Sequence, residues 1–169
     1  YFRKRNLTKS ELLHRDRPLK KGEAVKEYDR ICMFSGGLDS FVGAIDLLER
    51  QTEEKILFVS HYGGGKGTKE YQDHLRTVFV QQYELEERDF CQFYAKTVGG
   101  IEDTTRSRSF MFFAHAVALA SAQGKTMNII IPENGLISLN IPSTFSRIGT
   151  SSTRTTHPYY MKKFQELLN

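Results

Sequence analysis

Residues 31–49, ICMFSGGLDSFVGAIDLLE, run from a short apolar stretch through paired glycines directly into a helical period. A strand that enters a helix through so tight a turn admits few architectures. Leu38, Phe41, Val42, Ile45 and Leu48 repeat at i, i+3, i+4, i+7 and i+10, so the spacing predicts an apolar stripe along a helix ending near Gln51. A second unit repeats the pattern: KILFVSHY reads as a buried strand, HYGGGKG as a glycine turn, and 68–83 as a helix with Tyr71, Leu75, Val78 and Phe79 on one side. Two such units define βαβ patterning. The expected fold class is therefore α/β, a Rossmann-like three-layer sandwich around a parallel sheet.

Later segments extend the pattern. RSRSFMFFAHAVALASAQG predicts a third, largely buried helix with Gly124 at a left-handed C-terminal cap. MNIIIP predicts a fully buried parallel strand, and THPYYMKKFQELL a helix with Pro158 in its first turn. The stretch YELEERDFCQFYAKTVGGIEDTT fits neither the helical nor the strand period over any length. The connection ENGLISLNIPSTFSRIGTSSTRTT is long and nearly free of acids, a character expected of functional or disordered loops.

Composition narrows the function classes. With 169 residues and 39% hydrophobic content the chain can bury one sizeable core. No run of about 18 apolar residues appears, so neither a membrane span nor a membrane partner is expected. Cys32 and Cys91 are the only cysteines and lack a CxxC spacing, which fits a reducing, cytoplasmic setting and argues against a cysteine-built zinc site. The net charge of +4 is uneven. Basic residues crowd positions 3–21, whereas Glu133 is the sole carboxylate from Thr104 to Gln165. The basic run is either a solvated arm or a nucleic-acid contact, so RNA binding stays open.

In a parallel α/β sheet, ligands bind outside the carboxyl ends of the strands. Four candidate sites fall there: 35–40, 61–68, 106–109 and 133–140. Backbone N–H groups in a turn through Gly36 and Gly37 can point at an anion, the helix beyond adds partial positive charge, and the Ser35 and Ser40 hydroxyls can donate to phosphate oxygens. No lysine completes a Walker A loop, no GxGxxG occupies the turn, and Met33 stands where a nucleophile elbow would need glycine. A plain helix cap by Ser35 or Asp39 is the simpler alternative.

SGGLDS, Ser35 to Ser40, resembles the SGGxDS signature of the PP-loop ATP pyrophosphatases, which follows the first strand of an adenine-nucleotide α-hydrolase (HUP-type) fold. Within that superfamily the chain is similar to the 7-cyano-7-deazaguanine synthase (QueC) family, whose second strand ends in a Tyr-Gly pair, here Tyr62 and Gly63. RSRSFMFFAHAVALA, PENGLISLNIP and STRTTHPYY resemble QatC, the QueC-like family of the Qat anti-phage defence operons. The likeness covers about residues 30–168. The QueC cluster of four zinc-binding cysteines has no counterpart here. The resemblance implies a PP-loop domain over 23–169 within a longer protein, with 1–22 belonging to a preceding region; a start at Tyr1 rather than methionine agrees with that expectation.

The resemblance further implies an adenylating C–N ligase using ATP and Mg2+. AMP is transferred to a carboxylate or carbonyl oxygen of a 7-deazaguanine-type substrate, pyrophosphate leaves, and a nitrogen nucleophile then displaces AMP. Ser35, Gly36, Gly37, Leu38 and Ser40 are expected around the phosphates. Asp39 orders the loop, helps hold Mg2+, or supplies favourable charge at a helix start. His61, Tyr62 and Gly63 are expected at the adenine, with His61 also a candidate general base. Arg106 and Arg108 are placed as catalytic cations. Glu133 and Asn134 would pair with the N–H edge of the substrate, or else form a simple turn. Arg147, Arg154 and His157 would close over phosphate or carboxylate groups, or lie on the surface. Other proteins of the same operon are expected partners. A PP-loop tRNA-modifying enzyme and a non-catalytic ATP-binding module are the alternatives.

Overall fold

Among the described residues, four short strands and four helices alternate. The computed structural model describes residues 26–50, 53–63, 67–95, 108–135 and 156–168. Strand β1 (Arg30–Met33) leads to α1 (Leu38–Glu49), β2 (Ile56–Tyr62) to α2 (Thr68–Gln82), and a 3-10 turn (Glu87–Asp89) to β3 (Phe90–Tyr94). Helix α3 (Arg108–Ala122), β4 (Asn128–Ile130) and α4 (Pro158–Leu168) follow. The sheet has the order β3-β2-β1-β4. Every pairing is parallel, with Ile31 beside Leu57 and Ile129, and His61 beside Phe93.

Alternation along the strands sends side chains into two apolar layers. Ile31, Met33, Leu57 and Val59 meet Phe113 and Ala116 of α3, with Tyr160, Met161 and Phe164 of α4 packed around them. Cys32, Phe34, Ile56 and Phe58 point the other way and meet Ala44 and Leu47 of α1 and Phe79 of α2. The result is helices over both faces of a parallel sheet, the arrangement the βαβ pattern predicts. Phe34 is the hub of the second layer, edge-on to Phe58, Phe79 and Phe90 at 5.8, 5.5 and 6.1 Å. Such pairs add to the stabilisation from area burial.

Several expectations need correction. The α1 stripe is rotated: Ser40, Ala44 and Leu47 are buried, while Leu38 and Val42 are exposed. On α2 the buried residues are Gln72 and Phe79, and Tyr71 faces solvent at 69% exposure. Helix α3 buries only Phe113 and Ala116 fully, since one side packs on the sheet and Phe110 is exposed. Strand β4 is parallel as expected but not fully buried, because it lies at the sheet's edge. Gly124 does take the left-handed angle, φ 67°, after α3.

The segment without a period conceals β3. Its acidic run is ordered by a reciprocal cap, in which Asp89 accepts from the Glu86 N–H at 2.9 Å. The buried Asp89 carboxylate also accepts from Lys26 Nζ at 2.6 Å and Tyr28 Oη at 3.1 Å. These bonds fix the entry into β3 at the amino end of the sheet, away from the glycine turn. Among the described residues no helix is long and apolar enough to cross a membrane. The basic stretch at 1–22 lies outside the described residues.

Candidate functional site

The sheet order reverses at β1: β2 and β3 lie on one side of it and β4 on the other. In open parallel sheets the crevice outside the carboxyl ends of the strands at such a reversal is where ligands bind. The residues 35–40 occupy the β1 side of that crevice. Their base is rigid, because Phe34 is buried, its N–H donates to Val59 O at 2.7 Å, and its carbonyl accepts from Ser60 Oγ at 2.6 Å.

From there the chain turns through Gly36 at φ 88°, a left-handed angle that side chains rarely adopt. A Cβ on Gly36 would also stand 2.9 Å from Gln72 Cγ. Within the turn the two serines bond to the loop itself. Ser35 Oγ donates to Ser40 Oγ at 3.1 Å, Gly36 N–H donates to the same oxygen at 3.1 Å, and Ser40 Oγ donates to Gly37 O at 2.8 Å. Ser40 is 3% exposed, so its hydroxyl acts as an internal latch. Neither Ser35 nor Asp39 caps α1: Gly37 is the N-cap residue, with no side-chain capping bond. The first helical bond runs from Phe41 N–H to Gly37 O. The amides of Leu38, Asp39 and Ser40 thus head the helix without an intrahelical acceptor, at the positive end of its dipole.

The carboxyl end of β2 stands beside the turn. Residue His61 is buried, and its Nε2 lies 2.9 Å from Ala95 O; a carbonyl only accepts, so the proton is on Nε2. The ring faces the core between Phe112 and His115, so it is the backbone of His61 that turns toward the crevice side through Gln72. Tyr62 packs beside Tyr94 at 5.2 Å, and Gly63 follows it half-buried. His115 stacks on Phe93 at 4.5 Å, with Nδ1 buried and lacking a hydrogen-bond partner among the described residues. Burial, and then the neighbouring His61, hold its pKa below the usual histidine range.

Beyond β4 the chain crosses closely over α1. A Cβ on Gly43 would meet Pro132 Cβ at 2.4 Å, so only glycine permits this approach. It brings Glu133 to the head of α1. Partial burial of the carboxyl, and then the Asp39 carboxylate, raise the Glu133 pKa, with bonds from Asn134 and Thr156 opposing the rise. Asp39, Glu133 and Thr156 therefore share one locality, which joins the β1 and β4 sides of the crevice. His157 adjoins it and caps α4, its Nδ1 accepting from Tyr159 N–H at 3.2 Å.

Arg108 is exposed as the first residue of α3. Arg106, Arg147 and Arg154 lie outside the described residues. Among the described residues no group of three or more His, Cys, Asp or Glu could hold a metal. Cys32 is buried, which pushes its thiol up to about 12, and burial raises Cys91 as well; neither suits a reactive thiol.

Sequence reasoning missed Gln72, Gly43 and Ser60. Gln72 had a signal, since it stands three and seven positions before Leu75 and Phe79 on the buried side of α2. Gly43 and Ser60 had none, because each depends on contact with a remote segment. No family model matches this chain, and neither a curated protein nor a solved structure does.

Proposed function

We propose that this chain is a PP-loop ATP pyrophosphatase domain of HUP type, QueC-like, that adenylates a 7-deazaguanine-type carboxylate in bacterial anti-phage defence. The observation that carries the reading is the SGGLDS turn at the point where the sheet order reverses, with a helix headed by uncapped amides and Glu133 facing it. Those amides, from Leu38 to Ser40, suit phosphate oxygens, and the left-handed Gly36 keeps the turn close enough for backbone contact.

The chemistry follows from charge. A substrate carboxylate oxygen attacks the α-phosphorus, the bond from that phosphorus to the β-phosphate oxygen breaks, and pyrophosphate carries the electron pair away. Ammonia or an amine then attacks the activated acyl carbon, and AMP departs. The α1 amides bind the leaving pyrophosphate, the strand end at 61–63 takes the adenine, and arginine side chains near 106–108 offset negative charge in the transition state. Oxygen donors from Asp39 and Glu133 fit Mg2+, and a divalent cation relieves the repulsion between the two carboxylates. Glu133 and Asn134 then read the substrate's N–H edge.

The test is incubation of the full-length protein with ATP, Mg2+, ammonium and 7-carboxy-7-deazaguanine, with nucleotides resolved by anion-exchange chromatography. Substrate-dependent AMP and pyrophosphate are expected. ADP with orthophosphate, or no turnover in the presence of the operon's other proteins, would overturn the assignment.

A further inference from the structure

The hydrogen-bond ladder between β1 and β2 does not stop where the strands end. Met33 pairs with Val59, the Ser60 hydroxyl then bonds to Phe34 O, and beyond that point the chain after β1 turns away from β2 through Gly36. Across the divergence lies one side chain. Gln72, near the start of α2 and 2% exposed, donates from Nε2 to Ser35 O at 2.8 Å and to His61 O at 3.1 Å. Its Oε1 accepts from Gln92 Nε2 of β3 at 3.0 Å, and Gln92 also reaches Asp73 Oδ1 at 3.4 Å. Its Cγ lies under Gly36, filling the space a side chain there would need.

Both donors of the amide are used, and its oxygen accepts one bond. Two N–H groups meet two carbonyls and one oxygen meets one donor, so the assignment of nitrogen and oxygen follows from the partners. Few residues can replace it. Glutamate has no N–H donors and would set a charge against two carbonyls. Methionine has the length but no donor, and asparagine is one methylene short. Losing the amide removes one bond from the buried His61 carbonyl and one from the Ser35 carbonyl.

We infer that Gln72 is a positioning residue that fixes the separation between the phosphate-binding turn after β1 and the base-binding end of β2. The inference rests on the nucleotide reading given above and deepens it. One carbonyl it holds belongs to the first residue of the turn, the other to the strand end expected at the adenine. A ligand that spans both halves needs their spacing to be right, whereas a ligand that occupies one half does not.

That difference supplies the test. Wild type, Gln72→Met and Gln72→Glu are titrated calorimetrically with ATP, adenosine and pyrophosphate, each with Mg2+, after circular dichroism has verified the fold. For both variants the Kd for ATP is expected to rise about tenfold or more, while the Kd for each fragment changes by less than about threefold. Gln92→Leu, which removes only the bond to Oε1, should move ATP in the same direction by a smaller factor; if the Gln72 variants do not fold, this variant decides. An unchanged Kd for ATP, or equal weakening of all three ligands, overturns the positioning role and leaves the nucleotide reading intact. A wild type that binds none of the three overturns both.

Discussion

A hydroxyl with three partners is the smallest unit on which the site depends. Ser40 accepts from Ser35 and Gly36 and donates to Gly37. Ser40→Ala removes all three bonds from a buried position, and we expect a loss of about 1–3 kcal/mol, read as a fall in the urea midpoint. Gly36→Ala should be worse for binding than for stability. The left-handed angle and the 2.9 Å approach to Gln72 force the turn to move, so ATP binding is expected to vanish even where the fold survives. The turn was legible because its letters form a motif at a strand-to-helix junction. What the serines do was less so: the sequence supports hydroxyls aimed at phosphate, whereas here they bond to each other and the loop, and the helix amides are left for a ligand. Hydroxyl orientation is set by neighbours a few ångströms away, and spacing along the chain does not carry it.

Elements meet where side chains are missing. Helix α1 can lie against the loop after β4 only because Gly43 has no Cβ. Gly43→Ala is expected to cost about 1–3 kcal/mol by overpacking against Pro132, lowering the melting temperature by several degrees. It should also lift Glu133 away from Asp39, so ATP turnover falls more than stability alone accounts for. At the opposite end of the sheet, Asp89→Ala would remove the buried acceptor shared by Lys26, Tyr28 and the Glu86 N–H, leaving Lys26 with Glu86, and is expected to cost about 1–3 kcal/mol by thermal unfolding, with no change in nucleotide affinity. Helices and the strands β1, β2 and β4 were legible from apolar periods and runs. Strand β3 was not, because its partly buried residues FCQFY carry no strict alternation and its stability comes from pairing with β2. The same applies to the exact face of α1, where small residues Ser40 and Ala44 are buried and the larger Leu38 and Val42 are not.

For the molecule as a whole, protonation at the crevice ties folding to pH. The folded state raises the Glu133 pKa, so it holds that proton more tightly than the unfolded chain does. The stabilisation this group gives is present below the ordinary carboxylate range and is lost as pH rises through its raised value. Glu133→Gln should therefore gain on wild type in urea midpoint as pH rises above the ordinary carboxylate range, and added Mg2+ should narrow the gap. A gap that does not change with pH would refute this account. The wider plan also decides how the site fails on heating. Phe34, locked among three aromatic rings, is the residue from which the turn departs. The floor of the crevice is thus the wall of the core, and the two share one cooperative unit. Binding should disappear at the melting transition itself, with no cooler step at which the fold persists and the site is gone.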